Sequence, residues 1–254
     1  MKPAPMNDKT RYGMVIDLDR CTGCGACMVA CAVENNIPPA TEHATERTGI
    51  NWMRVCRVHD SSASEGRTAF VPVMCQHCGT HTPCVGVCPQ NAVEVDPRTG
   101  IVAQVPVRCL GCRYCMAACP YHARSFNWWD PEWPAEITAT LNPDVSTRTR
   151  GVVEKCSFCS HRLLTARANQ AALGESGEPE YAPACVEACP SHAIAFGNLA
   201  DESTEVARGA KEPSAFRLLE RLGTDPKVYY RTERPWVRAA AEGRPSEEGS
   251  THHG

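Results

Sequence analysis

The sequence predicts an α+β fold of two small cysteine-rich modules, one continuous and one assembled from both ends of the cysteine-rich region, with irregular insertions and a C-terminal extension. Three observations carry that expectation. Seventeen cysteines stand in 254 residues, and sixteen of them fall into four groups of four at short, recurring intervals. The middle two groups flank Ala92 to Val105, where two alternating strands surround an Asp96-Pro-Arg-Thr-Gly100 turn, the pattern of a β-hairpin. The outer two groups lie on either side of that unit, so they are left to complete each other across it. Composition bounds the rest. Hydrophobic residues make up 43%, ordinary for a globular chain, and a net charge of -3 argues against a general nucleic-acid footprint. Cysteines at metal-ligand spacing in so long a chain disfavour the disulfide scaffold of small secreted domains. There is no apolar run long enough for a membrane helix, and Met1 to Thr10 has neither an apolar core nor a twin arginine, so no export signal of its own is expected.

The third motif is the most specific: Cys109-x2-Cys112-x2-Cys115-x3-Cys119-Pro120. Its first three thiolates lie on one loop, which Gly111 helps to turn, and converge on three corners of a cubane. The fourth follows a short helical turn and points elsewhere. In bacterial two-cluster ferredoxins it ligates the other cluster. The second motif, Cys75-x2-Cys78-x5-Cys84-x3-Cys88-Pro89, supplies that partner. Each proline stops the helix and sends the chain onward. Residues 68–127 therefore read as a complete central module, with Cys75, Cys78, Cys84 and Cys119 on one cluster and Cys109, Cys112, Cys115 and Cys88 on another.

The remaining elements follow in order. Tyr12 to Leu18 is a short apolar strand. Cys21-x2-Cys24-x2-Cys27-x3-Cys31 repeats the motif with Ala32 in place of proline, so its helix runs on to about Asn36 before Pro38-Pro39. Ile50 to Val58 alternates like a half-buried strand, in which the leftover Cys56 is expected as a small buried hydrophobe. Ser61 to Gly66 is a polar turn and Thr68 to Met74 a strand. Trp128, Trp129 and Trp133 open a proline-rich connector, either as a partner-binding patch or as cover for clusters within the chain. The fourth motif is split by 25 residues: Cys156-x2-Cys159, then Cys185-x3-Cys189-Pro190. The insertion opens with a helix, Ser160 to Leu173, stopped by Gly174. Ala193 to Phe196 is a strand. Pro213 to Gly223 reads as an amphipathic helix with Ser214 as N-cap, and Asp225 to Tyr230 as a strand. From Ala239 the tail is expected to be disordered or laid over a neighbour; its His252 and His253 are too few and too terminal for a metal site.

Residues 1–67 with 128–200 thus make the outer module and 201–254 the extension. Pairing the first and fourth motifs gives Cys21, Cys24, Cys27 and Cys189 on one cluster, and Cys156, Cys159, Cys185 and Cys31 on the last. Four cubane [4Fe-4S] clusters are expected in all. Zinc is the rival for paired Cys-x2-Cys knuckles, but triple cysteines at this spacing are rarely zinc sites. No Cys-x2-Cys is followed by histidine, so c-type haem is excluded, and there is no dinucleotide fingerprint or P-loop. His77, His81, His122, His161 and His192 lie beside the motifs with no acid partner apparent in the sequence; supporting or surface roles are expected. Arg108, Arg113 and Lys155 adjoin ligating cysteines, where they either raise cluster potentials or sit as solvated charge. No catalytic residue is expected.

Met74-Cys-Gln-His-Cys-Gly79, Cys119-Pro-Tyr121 with Phe126-Asn-Trp128, and Arg150 to Cys159 resemble the four-cluster electron-transfer subunit of complex iron-sulfur molybdoenzymes, the family of dimethyl sulfoxide and polysulfide reductases. The resemblance runs from Tyr12 to Tyr230. Within the family, Val15 to Cys24 and Leu141 to Val145 look closest to the alternative complex III component, and similar to that of the menaquinone reductase complex. Some relatives lose a cysteine, often in the third motif, and hold a [3Fe-4S] cluster; Cys112 is present here. The resemblance implies a non-catalytic subunit relaying single electrons between a large molybdoenzyme-type redox subunit and a polytopic quinone-interacting membrane subunit, with room for a cytochrome c subunit. It further implies a peripheral place on the cytoplasmic membrane, on the periplasmic face by co-export with a partner; the alternative is the cytoplasm. The rival functions are a free-standing soluble polyferredoxin and a colourless zinc-stabilised interaction module.

Overall fold

The structure, a computed structural model, describes residues 10–45, 48–60 and 66–243. The polar lead before Thr10, most of the expected 61–66 turn, and the tail with His252 and His253 lie outside the described residues. Helices and strands mix along the chain in an α+β order. β1 (Tyr12–Asp17) leads into α1 (Ala26–Glu34), then β2 (Met53–His59) and β3 (Thr68–Met74) pair as an antiparallel ribbon. α2 (Pro83–Gly86), the hairpin of β4 (Val93–Val95) and β5 (Val102–Gln104), and α3 (Tyr114–Ala118) follow, then β6 (Ser125–Phe126), α4 (Ala135–Thr138) and β7 (Val153–Glu154). The chain continues through α5 (Ser160–Ala172), α6 (Ala184–Glu187), β8 (Ile194–Asn198), α7 (Glu205–Gly209), β9 (Ala215–Phe216), β10 (Val228–Arg231) and α8 (Pro235–Ala241).

The main sheet has the order β8-β1-β10-β9, with β1 antiparallel to β8 and parallel to β10. β1 is central because nearly all of it is apolar: Met14, Val15 and Ile16 are buried, as fits a strand covered on both faces. Gly13 is required there, since a Cβ would stand 2.6 Å from the Lys227 carbonyl, which accepts the Met14 N–H. The expected turn of the β4–β5 hairpin is present: Asp96 Oδ1 accepts the Arg98 N–H at 2.9 Å, its carbonyl accepts the Gly100 N–H at 2.8 Å, and Gly100 takes φ 70°. α5 likewise ends as expected, with Gly174 at φ 71°.

Three expectations give way. Pro213 to Gly223 is not a helix. Phe216 and Ala215 pair instead with Tyr230 and Arg231, and Leu219 takes φ 49°, leaving only a 3-10 turn at Glu220–Leu222 that Gly223 closes. Burial of Phe216 and Leu218 beside β10 outweighs the helical periodicity. Cys56 is exposed, on the outward side of β2, while Met53 of the same strand is buried. Ala239 to Ala241, expected as the start of the tail, belong to α8. The segment after residue 200 is woven into the main sheet through β9 and β10, and Tyr230 donates its hydroxyl proton to Pro72 O at 2.9 Å.

One buried cation fastens the connector. Arg148 donates to Glu154 Oε2 at 2.9 Å, to Asn35 O and Asn36 O at the end of α1, and to Ser146 O, and lies 5.0 Å over the Trp52 ring. Trp52 Nε1 donates to the same Glu154 oxygen. Arg148→Met should therefore cost about 3–5 kcal/mol, because Glu154 is left buried without its cation. Denaturant unfolding of the loaded protein measures this, and adding Glu154→Leu should recover most of the loss.

Candidate metal centre

The four cysteine motifs share a local geometry that the backbone explains. The residue two after the first cysteine of each is left-handed: Gly23 at φ 72°, His77 at 44°, Gly111 at 76° and Phe158 at 55°. This conformation turns Cys-x2-Cys back on itself. It suits glycine, so His77 and Phe158 are held there by packing, and their rings stack with centroids 3.6 Å apart. After the Cys-Pro pairs a second recurrence appears. Asn91, His122 and His192, each three residues past the cysteine, are also left-handed. That bend turns backbone N–H groups onto the sulfur: Ala92 N donates to Cys88 Sγ at 3.2 Å and Ala193 N to Cys189 Sγ at 3.3 Å. Cys31, which lacks the proline, receives the Asn35 side-chain amide at 3.7 Å instead.

Mutual repulsion identifies neighbouring thiols. Burial raises Cys27 to about 11, and Cys21, Cys189 and Cys24 add to it; these four form a first group. Burial, then Cys156, Cys185 and Cys159, push Cys31 well above the usual thiol range, a second group. Cys78 is pushed up to about 12 by burial and then by Cys75, with Cys84 and Cys119 contributing, and these four line one small cavity, the third group. Cys88, Cys109, Cys112 and Cys115 line another small cavity, the fourth. Cys119 thus stands with the second motif's cysteines and Cys88 with the third's.

A model of the 4Fe-4S dicluster domain matches residues 67–135, and one of a 4Fe-4S binding domain matches residues 12–33. The menaquinone reductase iron-sulfur cluster-binding subunit of Nitratidesulfovibrio vulgaris is 50% identical over 91% of this chain and 92% of its own. The Hdr-like menaquinol oxidoreductase iron-sulfur subunit 1 of Archaeoglobus fulgidus is 40% identical over 90% and 86%, and the arsenate respiratory reductase iron-sulfur subunit of Shewanella sp. strain ANA-3 is 33% identical over 87% and 95%. The chain belongs to the iron-sulfur subunits of the complex iron-sulfur molybdoenzyme family.

The residues fit the 4Fe-4S clusters of that family. Among the described residues no three His, Cys, Asp or Glu side chains stand close enough to hold a single metal ion, whereas the cysteines of the third and fourth groups ring cavities. Buried thiols raised by one another need a compensating positive charge to ionise, which cluster iron supplies. Buried cations need the converse. Arg124 donates through Nη1 to Gln104 Oε1 at 2.8 Å and hydrogen-bonds the Cys84 thiol; burial lowers its pKa, yet Cys84, Cys115 and Cys75 bring it above the usual value. An anionic cluster held by those sulfurs would supply a counter-charge to it.

The other expected residues divide by burial. His77 is fully buried and accepts the Val102 N–H on Nδ1 at 3.1 Å, so Nε2 carries the proton. Burial, then Lys155, Lys227 and Arg124, hold its pKa far below the ordinary value, and the ring is neutral. His161 has an acid partner invisible in the sequence, Glu34 at 2.6 Å. His81, His122 and His192 are exposed. Arg108 is exposed and pairs with Glu94 at 3.3 Å, while Arg113 lies 5.0 Å over Trp128, packing that half-buried ring against the fourth group's loop. Lys155 is buried, donating to Val102 O and to Cys156 O at 2.7 Å. Arg124, Lys227 and Asn35 were not singled out from sequence; a charged residue such as Arg124 amid Ala123, Ser125 and Phe126 is the available signal.

Gly111→Ala should unload the fourth group selectively, since its φ of 76° disfavours a side chain and a Cβ would stand 2.3 Å from the Gly151 carbonyl. The expected loss is one cluster, about four iron atoms per chain. Gly86→Ala, where a Cβ meets nothing within 4 Å, should keep full iron content.

Proposed function

We propose that the four groups hold one [4Fe-4S] cluster each, in two interlocked ferredoxin modules, and that the chain relays single electrons within a quinone-linked respiratory reductase complex without catalysing chemistry itself. When bound, such clusters take up and release one electron at a time. The observation that carries this reading is the order of the sulfurs. Cys27 neighbours Cys31 and Cys185, Cys75 neighbours Cys156, and Cys84 neighbours Cys115. The groups therefore follow one another from first to fourth, and the terminal two carry the exposed members, Cys24 at one end and Cys112 at the other. That arrangement suits a chain that receives electrons at one surface and delivers them at another.

The relatives' names support the setting, since two of them refer to menaquinone or menaquinol. The proposed partners are a large molybdoenzyme-type redox subunit and a polytopic quinone-interacting membrane subunit, with a cytochrome c subunit in complexes that contain one. None of the described helices is long and apolar enough to cross a membrane, which agrees with a peripheral subunit. The proposed side is periplasmic, reached by co-export with a partner.

Mass spectrometry of the native assembly, extracted anaerobically in mild detergent, should find the chain with a polytopic membrane protein and a large redox subunit. A lone brown protein in the soluble fraction would instead make it a mobile carrier. The interlocking has its own test. Cys119→Ser should alter the same paramagnetic signal as Cys75→Ser and leave the signal altered by Cys109→Ser unchanged; the reverse pattern overturns the pairing.

A further inference from the structure

Six charged side chains among the described residues are buried: Asp60, Arg124, Arg148, Glu154, Lys155 and Lys227. Asp60 pairs with Arg67, and Arg148 with Glu154. The other three, all cations, form no ion pair among the described residues; Arg124 and Lys227 face sulfurs of the third group, while Lys155 lies between that group and Cys156 of the second. Lys227 Nζ donates to His77 O at 2.5 Å, Gly100 O at 2.9 Å and Cys78 O at 3.3 Å. Lys155 Nζ donates to Val102 O, whose own N–H is bound by the His77 ring. Arg124 lines the cavity of Cys75, Cys78, Cys84 and Cys119 and hydrogen-bonds the Cys84 thiol. His77 itself lies between two of those cysteines. The nearest carboxylates are otherwise engaged: Asp225 faces Lys227 but takes Arg217 at 2.6 Å, and Glu154, next to Lys155 in the chain, is held by Arg148.

We propose that Arg124 and Lys227 make the cluster of the third group the highest-potential site of the relay, the place where its electron rests. This rests on the cluster-binding reading above. Adding one electron increases the negative charge of a thiolate-ligated cluster, and fixed cations in a low-dielectric interior favour that added charge. Carbonyl oxygens around Lys227 and Lys155 partly solvate the ammonium groups but carry no net charge. The third group is also interior to the order of sites, so an electron resting there is held away from both exposed ends.

The test is a potentiometric titration of the loaded, full-length protein followed by electron paramagnetic resonance, with iron content measured for each variant. Lys227→Gln and Arg124→Gln should each lower the highest-potential reduction step, with at least a tenfold fall in its equilibrium constant, which is 59 mV for a one-electron couple. Arg124→Lys, which keeps the charge, should restore most of the shift and guards against a variant that fails to load. Lys227→Gln is decisive because Lys227 adjoins only the third group, whereas Arg124 also faces Cys115 of the fourth. A fully loaded Lys227→Gln protein whose highest step stays in place, or in which only a lower step moves, overturns the assignment while leaving the relay intact. A wild-type protein without clusters would defeat the underlying reading itself.

Discussion

Thiolates gathered within one group repel each other, and burial deepens the repulsion because water no longer screens it. The molecule is shaped by that constraint. Left-handed residues after each first cysteine bring sulfurs together that would otherwise stand apart, and those after each Cys-Pro aim N–H groups at the sulfur. Where proline is absent, at Cys31, a side-chain amide from Asn35 substitutes. These contacts spread negative charge without neutralising it. Full neutralisation needs positive charge, which cluster iron would supply and which the buried Arg124 and Lys227 already place beside the third group.

The same constraint explains which parts of the structure were legible in the sequence. Cluster spacing is a local property, so the motifs, the β4–β5 hairpin with its Asp96 turn, and the α5 stop at Gly174 could all be read along the chain. What escaped depends on contacts between distant residues. His161 and Glu34 are 127 positions apart, and no pattern at either announces the pair. Lys155 looks like any lysine beside a motif until β5 is seen to cover it. Pro213 to Gly223 has a helix's periodicity, but β10, which follows it, offers Phe216 and Ala215 a sheet edge. Cys56 shows the limit of alternation: period two places it on one side of β2, while which side faces solvent is settled by what packs there.

His77 and Phe158 illustrate how function and packing share one position. Their counterparts in the other two motifs are glycines, the residue that costs least in a left-handed conformation. Placing aromatic rings there instead carries a backbone penalty, and the stack they form is what holds it. That stack stands where the second and third groups adjoin, so the strain is located between neighbouring sites rather than at the surface.

The nesting of the motifs has a consequence for how the protein is made. Cys21 and Cys189 are 168 positions apart, yet they stand in one group. A nascent chain that has emerged only as far as residue 127 already carries every cysteine of the third and fourth groups, three of the first, and only Cys31 of the second. The third and fourth groups thus have all their cysteines while the first and second are still incomplete. The first and second sites close last, when β8 arrives beside β1, and a chain released early would carry half a relay with no continuous path between its ends.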